Sequence, residues 1–146
     1  MTDETHPHES KYPPEFHPFW NGLREERISF PKCTGCGQIN WYPMERCSQC
    51  LGEEFEQHNV SGRGRLHSWT IVRRAFSPKQ AGMVPYVVGL VEFDEVPGTR
   101  LITNIIECDF GDLAIDMDVE PVFSFDEDLP MVRFRPAGLV RKAVLE

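Results

Sequence analysis

The chain has 146 residues, 40% hydrophobic and 11% aromatic, which is enough for a real core in one or at most two small domains and excludes wholesale disorder. Fifteen Lys and Arg against 23 Asp and Glu give a net charge of −8, a poor balance for a general polyanion binder. No stretch approaches the roughly 20 apolar residues of a membrane span, and the acidic, polar opening from Met1 to His6 lacks the features of a signal peptide, so a cytoplasmic protein with no membrane partner is expected.

Residues 1–13, with His6, Pro7, His8 and Pro13, read as a frayed tail. In residues 14–30, Phe16, Phe19, Trp20 and Leu23 recur at i, i+3, i+4 and i+7, one apolar stripe of an amphipathic helix. Pro18 is tolerated close to a helix start, which places that start near Phe16 or His17. So aromatic a stripe must pack on the chain's own core or on a partner subunit, and Phe16, Phe19 and Trp20 are the candidate interface residues.

Residues 31–58 carry Cys33-x2-Cys36-x10-Cys47-x2-Cys50. Two Cys-x-x-Cys knuckles on the arms of a hairpin present four thiolates in a tetrahedron, the donor set of structural Zn²⁺ and also of a rubredoxin-like iron. Four cysteines close the coordination shell, so the metal is expected to be structural, and disulfides are not expected without export. Gly35 and Gly37 relieve the first knuckle; the second has Leu51 before Gly52, a less regular turn. Beyond Gly52, Glu53 to Asn59 reads as a polar lead-out.

From Gly62 the period becomes two, with Leu66, Trp69 and Ile71 apolar against Arg65, His67 and Arg73, and Gly62 and Gly64 suit a bulge or sharp bend at the start of a long, curved strand. A loop around Ser77 to Gly82 leads to a second strand from Tyr86, and the turn at Val96-Pro97-Gly98-Thr99 joins it to Arg100–Cys108 in an antiparallel hairpin. A fourth strand from Val119 is interrupted by Pro121, where pairing should weaken; the acidic turn Asp126 to Asp128 and a fifth strand from Met131 follow. Five strands without a long helical pattern read as a mainly β fold: an N-terminal helix, a rubredoxin-like zinc ribbon and a five-stranded OB-fold barrel over residues 59–137, with a C-terminal tail at 138–146. Cys108, placed on the third barrel strand, reads as a small buried apolar residue.

Charge is segregated along this plan. No carboxylate lies between Glu56 and Glu92, where Arg63, Arg65, Arg73, Arg74 and Lys79 fall, and none between Asp128 and Glu146, where Arg133, Arg135, Arg141 and Lys142 fall. The pattern suggests a local anion site or simply solvated sheet faces. The five histidines, His6, His8, His17, His58 and His67, form no nucleophile pairing, and neither a phosphate loop nor a serine elbow is present, so no catalytic residues are assigned.

Phe19-Trp20, Cys33-Thr34-Gly35-Cys36-Gly37, Tyr42-Pro43 before Cys47-Ser48-Gln49-Cys50, Ser61-Gly62-Arg63-Gly64-Arg65-Leu66, Pro85-Tyr86-Val87-Val88, Val91-Glu92-Phe93-Asp94 and Phe134-Arg135-Pro136 follow one another in this order. Over Pro14 to Pro136 the chain resembles the family of rubredoxin-like zinc-ribbon plus OB-fold proteins associated with acyl-CoA metabolism. The resemblance implies a non-catalytic accessory subunit of a thiolase-type acyltransferase or aldolase complex, in which the partner chain supplies the catalytic residues and a CoA thioester is the ligand. A subunit of an aromatic β-oxoacyl-CoA thiolase, such as one for benzoylsuccinyl-CoA, is one case within it. CoA phosphates would be met by arginine, and Arg63, Arg65, Arg73 and Arg74 are the candidates. The competing class is a single-stranded nucleic-acid module with bases on Trp69, Phe76 or Tyr86, disfavoured by the net charge of −8. Iron in the four-cysteine site would instead make an electron carrier, for which a ribbon without a barrel would suffice.

Overall fold

The structure, a computed structural model, describes residues 12–125 and 129–138. Most of the expected N-terminal tail, the acidic turn Asp126 to Asp128, and residues 139–146 with Arg141 and Lys142 lie outside the described residues. The chain divides into two compact units, Met1–Ser61 with Phe123–Val132 and Gly62–Val122 with Arg133–Glu146. Among the described residues no helix is long and apolar enough to cross a membrane.

In the first unit a 3-10 turn, Pro14–Phe16, leads into α1, His17–Arg24, with Pro18 in the first turn, where its missing N–H removes no helical bond. α1 buries Phe19, Trp20 and Leu23. Strand β1, Ile28–Cys33, pairs antiparallel with β2, Phe55–Val60, from Ile28↔Val60 to Cys33↔Phe55. The expected polar lead-out is therefore largely strand. The composition of β2 (Phe-Glu-Gln-His-Asn-Val) hides it, because β1 supplies the buried side chains of the pair, Ile28 and Phe30, while β2 contributes mostly backbone hydrogen bonds.

Strands β3 (Gly64–Val72), β4 (Tyr86–Glu92), β5 (Arg100–Ile105), β6 (Asp118–Ser124) and β7 (Met131–Pro136) form a closed barrel, ordered β3-β4-β5-β7-β6. Counted from the first barrel strand the order is one-two-three-five-four, the five-stranded Greek-key arrangement of an OB-fold. Its core contains Leu66, Val87, Val91, Phe93, Leu101, Ile105, Val119 and Phe134, with the Phe93 and Phe134 rings 6.0 Å apart. The β4–β5 pairing matches the expected hairpin.

Three details depart from or refine the sequence reading. The register shift in β3 falls between Leu66 and Ser68 rather than at the glycines; Gly64 serves close approach instead, since a Cβ there would lie 2.5 Å from Val91 Cγ1 and 2.9 Å from the Glu92 carbonyl. β6 pairs with β3 only at Asp118 and Val119, ahead of Pro121, which cannot donate to a ladder. Cys108 lies beyond the end of β5 and is half-buried, its thiol donating to the Asp109 carbonyl at 3.3 Å. Burial, then the nearby Asp112 and Asp109 carboxylates, push this thiol's pKa up and keep it protonated.

Candidate metal centre

The four cysteines converge on one point. Cys33 Sγ lies 3.5 Å from Cys50 Sγ, Cys36 Sγ lies 3.6 Å from Cys47 Sγ, and all four sulfurs fall within 4.8 Å of one another. A tetrahedral S4 site with Zn–S near 2.3 Å has sulfur–sulfur edges of about 3.8 Å, so the cluster is already the size such an ion needs. Each pair joins one cysteine from each knuckle, and in both knuckles the first cysteine is buried and the second exposed.

The two knuckles repeat one backbone design. Gly37 N–H donates to the Cys33 carbonyl at 2.9 Å and Leu51 N–H to the Cys47 carbonyl at 3.0 Å. Cys33 N–H donates to the Gln38 carbonyl at 2.9 Å and Cys47 N–H to the Gly52 carbonyl at 2.8 Å. The knuckles follow β1 and precede β2, so the pairing of those strands fixes their separation. Gly52 packs against the sulfurs: a Cβ there would lie 3.3 Å from Cys50 Sγ.

Asn40, 2% exposed, is the one supporting side chain that sequence reading missed. Its amide donates to Cys47 Sγ at 3.5 Å and its carbonyl oxygen accepts Ser48 N–H at 2.8 Å. Burial pushes the Cys47 thiol up, but the Asn40 amide and the backbone N–H groups of Cys50 and Gln49 outweigh it and hold Cys47 at about 6. Cys33 is also lowered, chiefly by the Cys36 backbone N–H. Cys50 has a Gly52 N–H in its favour, yet its neighbours Cys33 and Cys36 push it up to about 12. The thiols titrate as one cluster, and a cation that binds it displaces the protons the cluster still carries.

The aromatic helix packs within its own unit. Trp41, between the knuckles, packs on Phe19 with the rings tilted at 4.7 Å and meets Phe30 edge-on at 5.0 Å, while Phe16 lies 5.7 Å from Trp20 and 6.5 Å from Trp41. Phe19 and Trp20 are buried, Phe16 is half-buried, and Tyr12 and Tyr42 at the cluster's margin are exposed.

The four candidate arginines fall into two groups at opposite ends of β3, Arg65 and Arg73 being at most about 26 Å apart along the strand. At the start, Arg65 is clamped between Asp94 (2.9 Å) and Asp116 (3.2 Å), with Arg63 two residues before it. At the far end Arg73 and Arg74 are exposed, and the Arg73 guanidinium sits 5.6 Å from the Phe110 ring centroid. A single pyrophosphate reaches one group or the other.

A four-thiolate ribbon on a two-stranded sheet, followed by an OB barrel, defines a zinc-ribbon/OB-fold protein. The chain belongs to the ChsH2-like, DUF35 family: it matches the rubredoxin-like zinc ribbon domain of ChsH2 over residues 20–56 and the ChsH2 C-terminal OB-fold domain over residues 57–124. It is 34% identical to a DUF35 domain-containing scaffold protein of Methanocaldococcus jannaschii over 71% of this chain and 73% of that one. It is 31% identical to the benzoylsuccinyl-CoA thiolase subunit BbsA of Thauera aromatica over 64% of this chain and 70% of that one. Among solved structures it is similar to a chain of the Ltp2-ChsH2(DUF35) aldolase, with a TM-score of 0.76, 27% identity, and coverage of 86% of this chain and 97% of that one.

Proposed function

We propose that this protein is a non-catalytic accessory subunit of a cytoplasmic thiolase-type or aldolase complex acting on an acyl-CoA, with Zn²⁺ held by Cys33, Cys36, Cys47 and Cys50 as its structural metal. The observation that carries the reading is the closed four-sulfur cluster within a chain that aligns with BbsA and with the ChsH2 chain of an aldolase. Four thiolates leave no coordination position for a substrate, so the metal stabilises the ribbon, and bond making or breaking falls to a partner.

In this reading the cationic pair at the far end of β3, Arg73 and Arg74, meets the CoA phosphates, whereas Arg65 is already neutralised by Asp94 and Asp116 and Arg63 lies with it at the other end. The helix is a second contact with the partner: Phe16 is the part of its stripe still open to a neighbour, and Phe19 and Trp20 set it in place from beneath. Benzoylsuccinyl-CoA, the thioester in the name of BbsA, is the first to assay, followed by other aromatic β-oxoacyl-CoA thioesters. The test compares carbon–carbon bond cleavage by the partner enzyme with and without this chain. Full activity without it contradicts the reading, and activity that returns on its addition supports it.

A further inference from the structure

Residues 73–85 connect β3 to β4, the first hairpin of the barrel, and take the place of the first ligand-contacting loop of an OB-fold. It is braced from inside. Phe76 N–H donates to Gln80 Oε1 at 2.9 Å, Gln80 N–H to the Ser77 carbonyl at 3.0 Å, and Met83 N–H to the Gln80 carbonyl at 2.9 Å, around a 3-10 turn at Pro78–Gln80. The brace holds two large apolar side chains in water: Phe76 is 81% exposed and Met83 63%. Lys79 stands exposed between them, and no carboxylate occurs from residue 57 to residue 91.

An ordered loop that keeps a phenylalanine and a methionine outside any core loses their burial energy unless something else covers them. A pocket for a small molecule is concave and desolvates its ligand, whereas residues 73, 74, 76–79 and 81–83 are all exposed, so this loop is the inserting half of a contact. Aromatic, methionine and basic side chains on one protrusion form the composition of an interface anchor. Resting on the accessory-subunit reading, we propose that the tip of the β3–β4 loop, with Phe76 and Met83 as anchors and Lys79 between them, plugs into an apolar cleft with a carboxylate rim on the catalytic subunit. The basic partner-facing charge argues for that acidic rim, and Arg73 and Arg74 at the loop's base are left at the seam for the CoA phosphates.

The test titrates the catalytic subunit, recovered with the native complex and separated, back onto wild-type full-length chain and onto Phe76→Ala/Met83→Ala and Lys79→Glu variants. Because all three side chains are exposed, the variants keep wild-type metal content and melting temperature. The double variant binds at least tenfold more weakly. Lys79→Glu weakens binding at low ionic strength, and the difference shrinks as salt rises. Wild-type affinity in the double variant overturns the proposal while leaving the accessory-subunit reading intact. So does a double variant that assembles normally and raises only the KM for acyl-CoA, which would make the loop a ligand contact. If the wild-type chain binds no catalytic subunit at all, the underlying reading fails and the docking proposal falls with it.

Discussion

Leu51 holds in the second knuckle the position that Gly37 holds in the first: their φ angles are +66° and +83°, and each N–H closes the same turn onto the first cysteine's carbonyl. A residue with a Cβ is strained in this left-handed region by about 1 kcal/mol or more. Leu51 is 65% exposed, so no core contact repays it. Leu51→Gly is expected to retain the metal with little change in stability, because relief of strain offsets the glycine's extra unfolded-state entropy, about 0.5–1 kcal/mol. Gly37→Ala, with open space around it, is expected to cost about 1 kcal/mol through backbone strain alone. Thermal melts of the metal-loaded variants check both.

Asn40 supports Cys47 rather than the metal directly. Asn40→Ala removes a donor that favours the thiolate, so the Cys47 pKa rises from about 6 toward its ordinary value and protons compete for the sulfur at higher pH. Metal affinity should fall about 10- to 100-fold, and the pH at which half the metal is released should move upward. A chelator competition run across pH reads both, and an unchanged or downward midpoint contradicts this role.

Cys33→Ser or Cys47→Ser is expected to release the metal and unfold the ribbon while barrel signals persist. The β3–β7 barrel closes on itself and keeps its own buried core. Metal analysis together with two-dimensional NMR separates the two responses.

Gly64→Ala should destabilise the barrel by about 1–3 kcal/mol, because the added methyl meets the Glu92 backbone at 2.9 Å as well as the Val91 side chain at 2.5 Å. Denaturant melts of the protein with its metal intact provide the measurement.

Arg73→Glu with Arg74→Glu is expected to raise the KM of the assembled complex for its acyl-CoA. Arg65→Ala should leave KM unchanged and cost little stability, since its exposed pairs with Asp94 and Asp116 are screened by solvent. The reverse pattern would move the anion site to the other end of β3.

The cluster was legible in sequence because Cys-x2-Cys spacing dictates a knuckle whatever surrounds it. The barrel was legible because β3 and β4 alternate and Val96-Pro97-Gly98-Thr99 marks the turn into β5. β2 was not, since a strand whose partner carries the buried face shows no period of its own. Asn40 was not, since a polar residue between two knuckles looks like any loop residue until the fold buries it. The arginines looked like one group because they share a strand, and only its extended geometry shows Arg65 and Arg73 far apart.

Native mass spectrometry of the complex recovered intact, through a tag on this chain, from the native cell decides whether the protein is a zinc-holding accessory subunit. That role requires a stoichiometric thiolase-like or aldolase catalytic chain together with one zinc for each copy of this protein. Recovery of the chain alone, bound to nucleic acid, or carrying iron in its four-cysteine site would contradict it.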